Sequence, residues 1–306
     1  MAETSLKPWA TPRPEPGAVV ELLKPITWFA PMWAFACGAV SAGVPLDGRW
    51  LLILAGVVLA GPLVCGTSQA VNDWFDRHVD AINEPGRPIP SGRIPGRWGL
   101  HIALGWTLVS LAFASTLGGL VFAAAVLGLA LAWAYSAPPL RLKQDGWWGN
   151  AAVAACYEGL PWFTGAALAA GAMPSGRVLA LAALYSIGAH GIMTLNDFKS
   201  IEGDRRMGIR SLPARLGPGP AARLACWVMA LPQLVVVLLL GSWGLAGYAA
   251  LIAAALAVQL VLMRTLLADP RARAPWYNAT GTTLYVLGMM VAAIAVASAG
   301  AQGGGS

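Results

Sequence analysis

Hydrophobic residues fill this chain in long runs of about 20 residues, separated by short polar stretches. An apolar run of that length can cross the hydrocarbon core of a bilayer as an α-helix. The pattern therefore predicts an all-α integral membrane protein, a bundle of nine transmembrane helices. The predicted spans are residues 25–44, 50–72, 98–117, 119–136, 149–170, 177–197, 220–241, 245–267 and 277–298.

The positive charges indicate how this bundle is oriented. With a cytoplasmic N-terminus, all of the 20 Lys and Arg residues except Arg49 and Arg177 fall on the cytoplasmic side, helix ends included. Cytoplasmic loops of membrane proteins carry such an excess of Lys and Arg. The sequence therefore predicts a cytoplasmic N-terminus and, because the number of spans is odd, a C-terminus on the opposite side.

The composition agrees with one membrane domain. The chain is 57% hydrophobic and 11% charged, whereas soluble proteins carry about 25% charged residues. We expect a polar, proline-rich cytoplasmic segment at 1–24, a membrane domain at 25–298 and a short tail at 299–306, whose final GGGS is set aside. The four cysteines lie singly in apolar runs, which is typical of buried small side chains and not of disulfides or metal clusters. No nucleic-acid partner is expected.

The stretch NDWFDRHVDAINEPGRPIP, residues 72–90, places carboxylates directly after a nearly pure apolar run. Asp73, Asp76 and Asp80 are spaced i, i+3 and i+7, so on an α-helix they lie within about 60° of one another. Like charges so close repel each other, and the arrangement is costly at a membrane boundary unless a cation binds there.

A second acidic stretch, NDFKSIEGDRRMGIRSLP, begins 124 residues later. The Asn-Asp pair at 196–197 repeats the pair at 72–73, and Asp204 follows at i+7 as Asp80 does in the first stretch. Ser200 occupies the i+3 position. Both stretches follow long apolar runs, so we predict two pseudo-repeated Asp-rich motifs at cytoplasmic helix ends.

Carboxylate-rich clusters suit Mg²⁺, which keeps several waters and bridges protein carboxylates to substrate phosphates. Basic side chains beside them suit the remaining phosphate oxygens. We therefore predict a site for a lipid diphosphate and Mg²⁺, with two ions expected. The alternative is that the charges at these helix ends only set the orientation of the helices in the membrane. The predicted metal ligands are Asn72, Asp73, Asp76, Asp80, Asn196, Asp197 and Asp204. The predicted catalytic carboxylates are Asp73, Asp76, Asp197 and Asp204. The predicted diphosphate ligands are Arg77, Arg87, Arg141, Lys143, Lys199 and Arg205.

These two motifs, together with YSAPPLRLKQDGWWGN, resemble the UbiA superfamily of membrane prenyltransferases. Within it they are most similar to the chlorophyll and bacteriochlorophyll synthase branch, and the resemblance covers nearly the whole chain. Ser200 departs from the wider superfamily, where many members have aspartate, and this makes Ser200 a doubtful metal ligand.

The resemblance implies a reaction and a location. A Mg²⁺-dependent enzyme of this branch transfers a geranylgeranyl or phytyl group from its diphosphate to the C17 propionate of bacteriochlorophyllide a. The expected location is a bacterial cytoplasmic or intracytoplasmic photosynthetic membrane, with the active site facing the cytoplasm. Pigment-assembly proteins are candidate partners.

Five side chains are predicted to line the prenyl or acceptor pocket. Aromatic faces shield an allylic cation, and ionisable groups inside a membrane are functional candidates by default. The alternative for the ionisable members is that they are satisfied polar groups within the bundle. The five are Tyr135, Tyr157, Glu158, Trp162 and His190.

Other functions stay open from the sequence. Chlorophyllide a, a quinone-precursor ring or haem could replace bacteriochlorophyllide as the acceptor. A lipid or cation transporter would place its ionisable groups near the bilayer midplane, whereas here they cluster at one face. A non-catalytic pigment-binding scaffold would not need two acidic motifs.

Overall fold

The protein is known as a computed structural model that describes residues 13–303, with side chains to residue 299. Residues 1–12 of the predicted polar segment and 304–306 of the predicted tail lie outside the described residues. Within the described range the chain is helical and contains no β-strand, only an isolated bridge between Asp145 and Arg210.

The α-helices follow one another through the chain as the hydrophobic pattern predicts. They are α1 (Pro16–Leu22), α2 (Phe29–Ser41), α3 (Trp50–Val58), α4 (Gly66–Asn83), α5 (Trp98–Ser115), α6 (Gly119–Ser136), α7 (Gly146–Ala154), α8 (Leu160–Ala170), α9 (Gly176–Asn196), α10 (Ile201–Arg206), α11 (Leu212–Leu216), α12 (Pro218–Ser242), α13 (Ala246–Ala268) and α14 (Pro270–Gly303).

Within the described range, seven helical stretches are long and apolar enough to cross a membrane. They are Trp50–Asn83, Trp98–Ser115, Gly119–Ser136, Gly176–Lys199, Pro218–Ser242, Ala246–Ala268 and Pro270–Ala299. The predicted spans 25–44 and 149–170 are also helical, but α2 has only 13 residues and the second is interrupted between α7 and α8. The crossing of the membrane by nine helices therefore stays a prediction.

Two π-helical segments interrupt this pattern, and both lie at a proline. Leu59–Cys65 joins α3 to α4 and contains Pro62, and Ala155–Gly159 joins α7 to α8 just before Pro161. Proline lacks an N–H and clashes with the preceding turn, so the helix changes its hydrogen-bond register there. The second segment carries Tyr157 and Glu158 and fixes the direction of both side chains.

Glycine allows the closest approach between two helices of the bundle. A Cβ atom on Gly38 of α2 would overlap the carbonyl oxygen of Trp162, and one on Gly165 of α8 would overlap that of Phe35. Small residues permit this packing inside a membrane, where no hydrophobic effect drives helices together. α2 also packs against α14, so elements near the two ends of the described chain are neighbours.

Candidate active site

The two acidic motifs meet around one cavity of about 190 Å³, here called the polar cavity. Asp76 comes from α4, Asp197 from the 3₁₀ turn after α9, and Asp204 from α10. Other polar residues complete the wall. They are Asn72, Tyr135, Lys143, Asp145, Asn150, Ser200 and Ser211.

Asp76 is the carboxylate of the first motif that faces this cavity. Lys143 donates to its Oδ1 at 2.6 Å, Arg141 approaches the same oxygen at 3.5 Å, and Asn72 donates to Oδ2 at 3.1 Å. Burial lowers the pKa of Lys143, and the carboxylate of Asp76 opposes that shift. The loop between α6 and α7 thus supplies two cations to a carboxylate on α4.

Asp73 and Asp80, predicted as metal ligands together with Asp76, are not among the residues that line the polar cavity, and their role as ligands stays a prediction. Lys24 donates to Asp73 Oδ1 at 2.6 Å, and Arg87 donates to Asp73 at 3.3 Å and to Asp80 at 2.9 Å. Residues seven apart on a helix lie nearly above one another, so one guanidinium reaches both. Asp76 is rotated by about 60° from Asp73 and by about 40° from Asp80, and it faces Lys143 instead.

The second motif is not one continuous helix. α9 ends at Asn196, a 3₁₀ turn covers Asp197–Lys199, and α10 then carries Asp204. Asp197 accepts a hydrogen bond from Asn150 at 3.1 Å. The chain bends after Lys199 and so turns Asp204 back toward the cavity.

Asp204 is buried and is held by two hydroxyl groups. Ser211 donates to Oδ2 at 2.6 Å, and Ser200 donates to the same oxygen at 3.1 Å. Asn196, a predicted metal ligand, is exposed and instead accepts a hydrogen bond from Asn278 of α14 at 2.8 Å.

The predicted diphosphate ligands divide into two groups. Lys143 and Arg141 contact Asp76 at the polar cavity. Lys199 lines a larger adjoining space, which is described below as the central chamber.

The other three basic side chains point elsewhere. Arg77 lies over the ring of Trp74, 4.0 Å from its centroid, and Arg205 lies beside Glu202. Arg87 pairs with Asp73 and Asp80 behind the cavity and also binds Glu84, whose pKa this hydrogen bond lowers.

A larger space, the central chamber, opens from the polar cavity and measures about 540 Å³. The two share Asn72, Tyr135, Asn150 and Asp197. Its deeper wall is mostly apolar and includes the ring of Tyr157, whose hydroxyl accepts a hydrogen bond from Gln69 at 2.9 Å.

A second space, the lateral chamber, measures about 510 Å³ and lies between α2, α9, α14 and the π segment before α8. It shares Phe29, Ala30, Tyr157 and Met193 with the central chamber. Glu158 lines its inner wall. The three spaces therefore adjoin one another, from a charged end to an apolar end.

Three of the five predicted pocket residues line these spaces, and two do not. Tyr135, Tyr157 and Glu158 are wall residues. Trp162 is fully buried in the core instead: its ring stacks on Tyr185, with centroids 5.6 Å apart, and its indole N–H donates to Ser41.

His190 also lies outside the described chamber walls. Its Nε2 is 3.1 Å from the carbonyl oxygen of Trp147, and the two rings are 4.6 Å apart. The ring therefore faces α7 and not the lateral chamber.

Lys24 and Asn150 are not among the predicted site residues, although each binds a motif carboxylate. Lys24 stands just before the first predicted span, where a positive charge is typical of a cytoplasmic flank. Asn150 closes the string GWWGN on an apolar helix, and a buried amide in such a run is the signal that could have identified it.

The donor set fits Mg²⁺ held jointly by protein and substrate. Among the described residues no three His, Cys, Asp or Glu side chains lie close enough to hold a metal ion by themselves. Mg²⁺ commonly takes one or two carboxylates, several waters and substrate phosphate oxygens. Asp76 on one side of the polar cavity and Asp197 and Asp204 on the other match that mode of binding.

Comparison with known proteins gives consistent relatives. The sequence profile of the UbiA prenyltransferase family matches residues 28–287. The bacteriochlorophyll synthase 33 kDa chain of Cereibacter sphaeroides is 61% identical over 283 residues, which cover 92% of this chain and 94% of the relative. The bacteriochlorophyll synthase 33 kDa chain of Rhodobacter capsulatus is 53% identical over 299 residues, which cover 97% of this chain and 98% of the relative.

The fold is also found among solved structures. A UbiA homolog from Archaeoglobus fulgidus bound to DMAPP and Mg²⁺ superposes with a TM-score of 0.71 at 19% identity, over 92% of this chain and 99% of that one. At this identity the likeness establishes the shared fold.

Proposed function

The chain belongs to the UbiA prenyltransferase family, and from this premise we propose that it esterifies the C17 propionate of bacteriochlorophyllide a with a geranylgeranyl or phytyl group. The observation that carries the proposal is the polar cavity, where carboxylates of both motifs face Lys143 next to two mostly apolar chambers. The similarity to two bacteriochlorophyll synthases supports bacteriochlorophyllide a as the acceptor.

The polar cavity suits the diphosphate of the prenyl donor. Lys143 and Arg141 are placed to bind phosphate oxygens once substrate and metal compete for Asp76. Asp76, Asp197 and Asp204 would hold Mg²⁺, and we propose two ions. Mg²⁺, when bound, supplies charge neutralisation for the leaving diphosphate.

The reaction balances without a general base. The bond between prenyl C1 and the bridging diphosphate oxygen breaks, and its electron pair stays with the diphosphate. A propionate oxygen forms the new bond to C1. The propionate is already ionised near pH 7, so no proton needs to be removed and no Ser-His-Asp set is required.

The chambers suit the two apolar bodies. We place the prenyl chain in the central chamber, where the faces of Tyr135 and Tyr157 can shield the allylic cation. We place the tetrapyrrole in the lateral chamber, which adjoins the central chamber at Tyr157. The ring would then reach the site from the bilayer without crossing the charged end.

We place the polar cavity at the cytoplasmic face of a bacterial photosynthetic membrane. The distribution of Lys and Arg supports this orientation, because Arg49 and Arg177 alone fall on the far side of the predicted topology. Association with pigment-assembly proteins belongs to the same proposal.

The test is an acceptor competition with purified protein and Mg²⁺. Bacteriochlorophyllide a, chlorophyllide a and 4-hydroxybenzoate are each incubated with geranylgeranyl or phytyl diphosphate, and products are identified by mass. We expect the bacteriochlorophyllide ester to form fastest and to disappear after the metal is stripped with EDTA. Preferential alkylation of 4-hydroxybenzoate, or full turnover without divalent metal, would overturn the proposal.

A further inference from the structure

The lateral chamber contains one carboxyl group among its wall residues, that of Glu158, and this group is poorly satisfied. The side chain is buried, with 5% relative exposure, and its Oε2 has no hydrogen-bond partner among the described residues. A buried polar atom that is left unpaired destabilises the folded protein. The protein therefore maintains an unfavourable group at this position, as membrane proteins commonly do at functional sites.

The backbone around Glu158 is also irregular. The residue lies in the π segment Ala155–Gly159, and single π turns inside α-helices are frequent at functional sites. The extra residue in this turn directs Tyr157 and Glu158 to the chamber walls, while Trp162, farther along the same helix, points into the core.

The rest of the wall limits what the occupant can be. Trp33, Ile192, Val286 and Leu287 make most of it apolar, so a flat hydrocarbon ring fits the surroundings. A prenyl chain would leave the carboxyl of Glu158 without a partner. The occupant should therefore carry an electropositive centre within an apolar body.

A magnesium tetrapyrrole has this chemistry. The four ring nitrogens leave the axial positions of the central Mg²⁺ free, and Mg²⁺ prefers oxygen ligands. The position also fits. Glu158 follows Asn150 by eight residues on one helical rod, so it lies roughly 12 Å deeper. Asn150 binds Asp197 at the polar cavity. The distance between Glu158 and the polar cavity therefore matches the length of a propionate plus the part of the ring that separates it from the central metal.

We propose that Glu158 is the axial ligand of the central Mg²⁺ of the tetrapyrrole and thereby selects a metal-bearing ring as acceptor. The inference rests on the proposed function, which names the tetrapyrrole. His190 is not an alternative ligand in this chamber, because its ring packs on Trp147 and faces α7.

The experiment measures binding without turnover. Purified full-length protein in detergent, without prenyl diphosphate, is titrated with bacteriochlorophyllide a and with its metal-free counterpart. The visible absorption band that reports the coordination number of the central metal is followed. We expect the wild type to bind the magnesium ring at least about tenfold tighter, equivalent to about 1.4 kcal/mol, and to shift this band.

Glu158→Leu should lose both the preference for metal and the band shift, and Glu158→Gln should retain part of each through its amide oxygen. Thr282→Val changes the same chamber and Thr164→Val changes the same helix outside it. Thr164→Val should behave as the wild type, and Thr282→Val, a change in the chamber wall, should keep the wild-type preference for metal and the band shift even if it alters the affinity for both rings. Thermal unfolding and gel filtration of each variant show whether the bundle remains folded.

Two results would overturn the inference: an unchanged preference for metal in Glu158→Leu, or an equal loss of affinity for both rings. The second result would mean that the carboxyl recognises the ring through hydrogen bonding or shape. Ester formation by the wild type is measured in parallel. Its absence would overturn the proposed function, whereas ester formation with an unchanged preference in Glu158→Leu would overturn the ligand role alone.

Discussion

Lys24 Nζ lies 2.6 Å from Oδ1 of Asp73, although the two residues are 49 positions apart. Asp73 is only 2% exposed, and Lys24 adopts a left-handed backbone conformation with φ 47° and ψ 70°. Such a conformation is unfavourable for a residue other than glycine. The segment before α2 is therefore fixed by an ion pair with the first acidic motif.

We predict that this pair contributes to stability in a coupled way. Lys24→Met should lower the free energy of unfolding by about 1.5–3 kcal/mol, because Arg87 is then the one cationic partner left to the buried carboxylate among the described residues. In an Asp73→Asn background the same change should cost little. A double-mutant cycle from denaturant unfolding in detergent checks this, and additive costs would contradict it.

The carboxylates of the first motif should differ in role. Asp76→Ala should reduce turnover by about 100-fold or more and raise the Mg²⁺ concentration needed for half-maximal activity, because Asp76 lines the polar cavity. Asp80→Ala should mainly lower the unfolding midpoint, because Asp80 pairs with Arg87. Magnesium titrations of initial rate, paired with thermal unfolding, separate the two. Equal effects on magnesium dependence would refute the division.

The basic residues should divide in the same manner. Lys143→Ala should lower kcat/KM for the prenyl diphosphate by about 10- to 100-fold, because it removes one charge-assisted hydrogen bond to the diphosphate. Arg205→Ala, a matched loss of positive charge outside the cavity, should stay within about threefold of the wild type. Steady-state kinetics at varied concentrations of the prenyl diphosphate measure both variants. Comparable losses of kcat/KM in the two would show that overall positive charge matters more than position.

Asn150 should orient Asp197. Asn150→Leu removes the hydrogen bond to Asp197 Oδ2 and should cut kcat by about tenfold while raising the requirement for Mg²⁺. Thr194→Val removes another partner of the same amide, at 3.3 Å, without touching the carboxylate. It serves as the control and should have a small effect on rate. A large loss of activity in the control alone would reverse the assignment.

The contact between α2 and α8 should not tolerate a side chain. Gly38→Val places carbon atoms against the carbonyl oxygen of Trp162, so we expect loss of folded protein or a large fall in the unfolding midpoint. Gly105→Val, at a membrane helix position where a Cβ atom meets nothing within 4 Å, is the matched control. Yield of monodisperse protein and thermal unfolding measure both.

The helical architecture follows from the sequence alone. Apolar runs long enough to cross a bilayer must satisfy their backbone hydrogen bonds internally, so they form helices wherever they pack. Seven of the predicted spans were recovered as long apolar helices. The two acidic motifs can also be identified from the sequence, because carboxylates next to an apolar membrane segment are energetically costly and so indicate a functional site.

Tertiary structure alone decided which carboxylates face the polar cavity. Helical spacing placed Asp73, Asp76 and Asp80 on one face, but it carries no information about cations supplied from distant segments. Lys24, which precedes the motif in the chain, binds Asp73, and the loop residue Lys143, which follows it, binds Asp76. The carboxylates of one helix face therefore have different partners. The π turn at Glu158 is equally absent from the hydrophobic periodicity. Pro161 marks a break in the helix, but whether that break becomes a π turn depends on the packing around it.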